Sequence, residues 1–403
     1  MASQKPIIIL FNYGGGLRGL IPAHIMSEIE SRTGLAMTDM VDIFAGPSTG
    51  AILNAALNIP CPDEPTRPKF TAANMVEFYE REGAKIFPRD RFREFRAFVH
   101  DFNNRTMKIG QLDGLFRHGH YDPKHLGVCM RGLYGQSVLA DSIKSLIIPV
   151  YNIDGEQLKV VEEQGETATS PVHTRNNFID EGGYAVWLKN MRVGQRLKPP
   201  PDVKLFDAVM ASVAAPTYFP CHHFEVHYEN IGHTISYTGI DGSIFDNPCI
   251  SYHGAIHQHL PADRDIVMIL LGTGFSVRSI SKEQWNSYGG LGVVDPVNDL
   301  PLINILFQAP ESALAESFRD ELGDNLHIFN KSILSDSDHP ESPSLSIDDA
   351  SPENFKRLKA FADTIMEENS QSFDQVCDLL VQVHEGTYMC EEKPKSFWSF
   401  FSK

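Results

Sequence analysis

The apolar run Val41-Asp42-Ile43-Phe44-Ala45 leads straight into Gly46-Pro47-Ser48-Thr49-Gly50, and an apolar helical pattern follows through Ile52, Leu53, Ala55, Ala56 and Leu57. A strand, a sharp turn and a helix in so short a span leave few folds open. Glycines on either side of the serine let the backbone turn tightly and push its Oγ clear of its own chain. The helix start aims N–H groups and a partial positive charge at the same point. The pattern fits a nucleophile elbow, and it also fits an ordinary βα turn, because G-x-S-x-G recurs by chance. A second unit precedes it. Ile7-Ile8-Ile9-Leu10-Phe11 is a continuous apolar run, as in a strand buried on both faces. Tyr13-Gly14-Gly15-Gly16 breaks that run, and an amphipathic helix spans about Leu20 to Glu30. Two βα units within fifty residues predict a parallel, right-handed α/β sheet.

Further along, prolines 60, 62, 65 and 68 mark a loop, and helical character returns at 72–85 and around 125–145. The stretch 138–160 reads as a helix handing over to strands, 162–180 as a polar loop, and 204–213 as a helix after Pro199-Pro200-Pro201. Strands are expected at 232–239 and 266–271, the latter ending in Gly272-Thr273-Gly274. Residues 331–350, rich in serine and acid, read as a surface loop, and 352–385 as helix. With no repeats and no flexible linker, the expectation is one domain over 1–390 and a tail at 391–403. Its fold class is α/β: three layers, a mostly parallel central sheet with helices on both faces, and a helical C-terminal part.

The net charge of −17 and the lack of a basic stripe argue against a nucleic-acid partner. Attraction to anionic lipid would have to be local or hydrophobic. The basic stretch Arg81, Lys85, Arg89, Arg91, Arg93, Arg96 reads as a solvated face. Six scattered cysteines, with no C-x-x-C pair and no metal-ligand spacing, read as free thiols of a reducing compartment. No metal and no cofactor is expected. The N-terminus enters a strand without a signal-peptide pattern, and no apolar run reaches membrane-spanning length. The expectation is a soluble, cytoplasmic protein, with export by a signal-independent route left open.

Gly14-Gly15-Gly16-Leu17-Arg18-Gly19 satisfies the G-x-G-x-x-G dinucleotide fingerprint, with Asp39 about twenty residues on. Asp39, however, precedes the second strand, whereas a ribose-binding acid belongs at its carboxyl end, where this chain carries Gly46-Pro47-Ser48. A glycine loop beside a serine elbow suits an oxyanion hole better. For a base, Asp241 in Gly239-Ile240-Asp241-Gly242-Ser243 ends a strand, and Asp-Gly is also an ordinary turn pair. Histidines cluster at His222, His223 and His227 and at His253, His257 and His259, but no H-E-x-x-H spacing completes a metal site. They read as structural or surface residues.

The combination decides between these readings. Tyr13 to Gly19, Gly46 to Gly50 and Asp241-Gly242-Ser243-Ile244-Phe245-Asp246-Asn247-Pro248 together resemble the patatin-like phospholipase family. Further blocks agree in order: Phe78-Tyr79 with Ile86-Phe87-Pro88, Tyr121 to Lys124, Ala211 to Pro220, Leu271 to Gly274, and Asp348-Asp349-Ala350-Ser351 with Asn354. The resemblance covers roughly 6–385. It implies calcium-independent lipid acyl hydrolysis by a serine–aspartate dyad, with Ser48 as nucleophile and Asp241 as base. It also implies an oxyanion hole from Gly14, Gly15 and Gly16 with Arg18. Arg18 has two readings, an oxyanion or phosphate ligand and a structural brace. Three features depart from the family pattern: Tyr13 replaces an acid, the elbow carries Pro47 and Ala51 at its second and sixth positions, and Ser243 replaces a glycine.

The resemblance implies a phospholipid or other glycerolipid substrate, peripheral membrane contact and an acyl-serine intermediate. A carboxylate with a pKa near ~3.9 is a feeble base at neutral pH, so apolar neighbours such as Ile240, Ile244 and Phe245 are expected to raise it. The tail Lys393 to Lys403, with Phe397, Trp398, Phe400 and Phe401, fits a membrane interface, docking on the protein's own core, or an export signal. Competing functions are a general carboxylesterase or thioesterase with the same dyad, and a latent or inactive lipid- or partner-binding protein that needs a protein or ligand activator.

Overall fold

The structure is a computed structural model. It describes residues 5–88, 121–154, 157–159, 182–194, 199–216, 218–276, 280–293, 302, 305, 318–334 and 339–388. The polar stretch 162–180, Arg89, Arg91, Arg93, Arg96, Cys390 and the tail 391–403 lie outside these residues. Eleven strands are described: β1 (Ile7–Asn12), β2 (Ile43–Ala45), β3 (Ser145–Asn152), β4 (Gln157–Lys159), β5 (Tyr184–Asn190), β6 (His222–Tyr228), β7 (His233–Asp241), β8 (Ile266–Leu271), β9 (Phe275–Ser276), β10 (Leu326–Phe329) and β11 (Ser332–Ile333).

The main sheet runs β10-β8-β1-β2-β3-β7-β4, with β5 also on β3 and β6 also on β7. From β10 to β3 the pairing is parallel, and from β3 onward it is antiparallel. The expected α/β sheet is present, with a larger antiparallel portion than the first two units suggest. β1 shows why the middle of the sheet is so apolar. Its side chains alternate between two cores, Ile8 and Leu10 on one face and Ile7, Ile9 and Phe11 on the other, all fully buried. The first core is capped by the helices Leu20–Thr33, Thr49–Leu57, Ala72–Ile86, Leu205–Ser212, Pro352–Glu368 and Ser370–Glu385. Tyr252, Ala255, Ile256 and Phe318 cover the second.

Several boundaries shift for local reasons. β2 starts at Ile43 because the Val41 amide closes a preceding helical turn on Met37 O (2.9 Å) and the Asp42 carboxylate accepts from the Ile8 amide (3.0 Å). The helix expected to reach 145 ends at Tyr134, where Gly135 takes φ 56° and the chain turns toward β3. The described part of 331–350 departs from a plain surface loop: Ser332–Ile333 forms β11, and Ser342, Ser344, Asp348 and Ala350 are buried. Asn354 holds this segment through the Ser344 amide (2.8 Å) and Asp349 O (2.8 Å), which satisfies polar groups a solvent-facing reading would leave to water.

The topology fixes where a site forms. β1 hands over to β2 on one side and pairs with β8 on the other, so its carboxyl end is a switch point with a crevice above it. Register places Asn12 beside Leu271 and Phe11 beside Ala45. The glycine loop, the serine elbow and Gly272-Thr273-Gly274 therefore leave the sheet side by side. β3 runs on past Ile147, the partner of Ala45, to Val150, which pairs with Asp241. Those three residues advance about 10 Å, carrying Asp241 level with the elbow. Among the described residues, no helix is long and apolar enough to cross a membrane.

Candidate active site

Ser48 sits between β2 and the Thr49–Leu57 helix at φ 54°, ψ −126°, and is the one non-glycine residue with positive φ among those described. Such a conformation costs on the order of 1–3 kcal/mol and persists only where its surroundings enforce it. Three contacts enforce it. The Ser48 amide donates to Ser212 Oγ (3.1 Å), which in turn donates to Pro149 O (2.6 Å), tying the elbow to β3. The Pro47 carbonyl accepts from Gly50 N (2.9 Å), so the proline supplies the first acceptor of the helix and its missing N–H is no loss. Below, Gly46 at φ 146° and Gly50 both press against the Asn12 carbonyl, and a Cβ at either would collide with it. Asn12 is itself anchored, its Nδ2 donating to Asn54 Oδ1 (2.6 Å) while Asn54 Nδ2 donates to Ala45 O (2.8 Å).

Asp241 ends β7 facing this turn and is 1 % exposed. Its backbone amide donates to Ala214 O (3.0 Å), and its carboxylate accepts from the Ser243 amide (2.8 Å). Burial pushes the Asp241 pKa up to about 6, against the opposing pull of the Ser48 hydroxyl and the Ser243 amide. The Ser243 hydroxyl also faces the carboxylate and lowers it slightly, yet its Oγ is buried without a well-formed hydrogen bond. Five residues on, Asp246 is buried as well, and burial raises its pKa to about 7 despite hydrogen bonds from Ser251 (2.8 Å) and Trp187 (3.1 Å).

The glycine loop closes the site. Gly14 approaches so closely that a Cβ there would lie 3.0 Å from Ser48 Cβ and collide with Ser243 Oγ. Thr273 Oγ1 donates to Gly14 O (2.8 Å), and Leu17 N donates to Ile347 O (2.8 Å), which pins the loop from both sides. Among the described residues, the amides of Gly14, Gly15, Gly16 and Thr49 donate to no protein acceptor. Four N–H groups are thus left free around one serine, where an anionic oxygen could collect them.

The structure brings Ser48, Asp241 and the Gly14–Gly16 loop together. Arg18 sits in the short 3-10 turn Gly16–Gly19 that continues the loop, its Nε has no hydrogen-bond partner among the described residues, and its described electrostatic neighbour is Tyr218. Desolvation lowers its pKa to about 10, which leaves it charged. The histidines are engaged elsewhere: His222 with Asp207 (2.9 Å), His227 with Thr234 (3.2 Å) and His253 with Glu321 (2.9 Å). Reading the sequence missed Ser212, Asn12 and Asn54; Ser212 left a trace inside the Ala211–Pro220 block, and the Thr49 amide is one of the helix-start N–H groups expected beside the serine.

Comparison with known proteins gives the family of the chain. The sequence model of the family described as "Patatin-like phospholipase" matches residues 13–252, more than half of the 403-residue chain. Patatin-like protein 2 of Arabidopsis thaliana is 27% identical over 384 residues, covering 89% of this chain and 83% of its own. Patatin-04/09 of Solanum tuberosum is 22% identical over 386 residues, covering 90% of this chain and 84% of its own. VipD from Legionella pneumophila aligns over 90% of this chain and 68% of its own at 11% identity, with a TM-score of only 0.30.

Proposed function

The chain belongs to the patatin-like phospholipase family, and on that premise we propose that it is a lipid acyl hydrolase in which Ser48 is the nucleophile and Asp241 its base. One observation carries the reading: a serine held at positive φ beside a buried carboxylate of raised pKa, amid unengaged amides. Asp241 takes the Ser48 proton as Oγ bonds to the ester carbonyl carbon of a glycerolipid. The negative charge that forms on the carbonyl oxygen goes to the free amides of the Gly14–Gly16 loop and of Thr49, each such donor being worth about 3–4 kcal/mol in other hydrolases. Collapse expels the lipid alkoxide, which takes the proton from Asp241 and leaves an acyl-serine. Water then repeats the sequence, Asp241 accepting its proton and returning it to Ser48 as the fatty acid departs. Arg18, in the turn that continues the loop, is assigned to bracing it.

The direct test exposes the wild-type chain to a fluorophosphonate probe and to phosphatidylcholine vesicles, alongside soluble esters of increasing chain length. Labelling at Ser48, fatty-acid release and rising kcat/KM with chain length are expected. Labelling with preference for short esters would replace the lipid reading by a general esterase. No labelling with or without cell lysate would overturn the enzyme reading, and labelling only with lysate would reveal a latent one.

The raised Asp241 pKa sets a pH dependence. Only the carboxylate form accepts a proton, so kcat/KM is expected to rise with pH through about 6 and then level off. Stability moves the other way. A carboxyl whose folded pKa lies above its unfolded value stabilises the fold below pH ~4, and that contribution is lost as pH climbs through the folded pKa. For Asp241 the loss is on the order of 3 kcal/mol and is complete above about pH 6; Asp246 adds to it up to about pH 7. A pH–rate profile beside urea midpoints at pH 5 and 8 checks both limbs. A flat rate between pH 5 and 7 would remove Asp241 as the base.

A further inference from the structure

Three side chains of different chemistry converge between the helices Ala72–Ile86 and Pro123–Tyr134. Glu82 Oε2, His125 Nε2 and Cys129 Sγ all lie within 4.8 Å of one another. The oxygen is 3.3 Å from the histidine nitrogen and 3.7 Å from the sulfur. A tetrahedral zinc ion, with bonds of about 2.0–2.2 Å to nitrogen and oxygen and about 2.3 Å to sulfur, sets donor-to-donor edges of about 3.3–3.6 Å. His125 and Cys129 stand four residues apart on one helix, which puts them on one face, and Glu82 meets them from the neighbouring helix. We propose that Glu82, His125 and Cys129 form a zinc site, with water in the fourth position, that ties the two helices together.

The donor set selects the ion. Carboxylate, imidazole and thiolate together suit zinc, whereas calcium and magnesium take oxygen ligands. Glu82 and a Cys129 thiolate supply two negative charges against the dication. Arg81 Nε donates to Glu82 Oε1 (2.8 Å) and orients the carboxylate from outside, as second ligand shells do. Lys85 Nζ donates to Oε2 (3.0 Å); the ion would replace this exposed, 53% accessible lysine on that oxygen. On binding, the Cys129 S–H bond breaks, its proton goes to solvent, and a Zn–S bond forms with no change of oxidation state. None of the three residues contributes to the Ser48 site, so this proposal stands or falls apart from the hydrolase reading. The sequence concealed it because Glu82 lies 43 residues from His125.

Cobalt titration of the full-length chain, reduced and stripped with chelator, tests the site. One equivalent of Co²⁺ is expected to bind with a thiolate-to-cobalt band in the near ultraviolet, displaced by Zn²⁺ and untouched by Ca²⁺ or Mg²⁺. Cys129→Ser is expected to abolish the band, and His125→Gln and Glu82→Gln each to weaken binding about tenfold or more. Ser48→Ala is expected to bind as wild type does. Absence of the band in the wild type, or its survival in Cys129→Ser, overturns the proposal. Should Cys129→Ser fail to fold by circular dichroism, His125→Gln decides, its side chain being 37% exposed. Undiminished cobalt affinity in that variant also overturns the site.

Discussion

Ser48→Ala is expected to lower phospholipid turnover by on the order of 10⁶-fold, and Asp241→Asn by on the order of 10⁴-fold. The first removes the only atom that can carry the acyl group. The second leaves Oγ in place but gives its proton nowhere to go, since a side-chain amide then stands where the basic carboxylate was. Because the two residues act as a unit, the double variant is expected to be no slower than Ser48→Ala alone. Initial rates of fatty-acid release from phosphatidylcholine vesicles, with fluorophosphonate labelling, measure all three. The variants should diverge in stability. Asp241→Asn removes a charge held in a site that disfavours it, so at pH 8 its urea midpoint is expected to rise, whereas Ser48→Ala keeps the positive φ and the strain that goes with it. A double variant markedly slower than either single one would mean that the two residues do not share a step.

Gly46→Ala is expected to destabilise the fold by on the order of 4 kcal/mol, from two independent sources. The φ of 146° is one that side chains with a Cβ rarely adopt, and the added methyl would meet the Asn12 carbonyl, which is backbone and cannot swing aside. The comparison is Gly34→Ala, at the C-terminus of the Leu20–Thr33 helix. There φ is 69° and a Cβ meets nothing within 4 Å, so only the left-handed conformation costs, about 1 kcal/mol. Urea unfolding of both variants separates crowding from conformation. Equal losses in the two would mean that Asn12 yields, and that β1 does not hold the elbow as rigidly as the geometry implies.

The parts of this molecule that rest on contiguous pattern were readable in advance. β1 and β8 are unbroken apolar runs followed by glycine, the elbow helix carries an apolar pattern, and all three lie where the pattern puts them. Asp241 is different: an Asp-Gly pair ends many strands, and only the family resemblance singled it out. What pattern could not show is pairing at a distance. Ser212 reaches Ser48 across 164 residues, and Thr273 reaches Gly14 across 259, through single hydrogen bonds that leave no periodicity. Residues 342–350 misled for a related reason. Their serines and acids look solvated, but Asn354 and the glycine loop consume their backbone groups, so polarity there marks a buried joint. Pro47, a departure from the family pattern, still offers its carbonyl to Gly50, so the proline does not interrupt the helix start.

The antiparallel docking of β7 on β3 has a consequence during synthesis of the chain. Ser48, the glycine loop and β3 leave the ribosome well before Asp241, and β8, which flanks β1, follows later still. Contacts of such long sequence separation form slowly, after the loop-closure entropy has been met. A growing polypeptide therefore carries the serine through the addition of 193 further residues before the carboxylate proposed to arm it is made. On the proposed mechanism, ester hydrolysis is withheld until β7 has emerged and docked on β3.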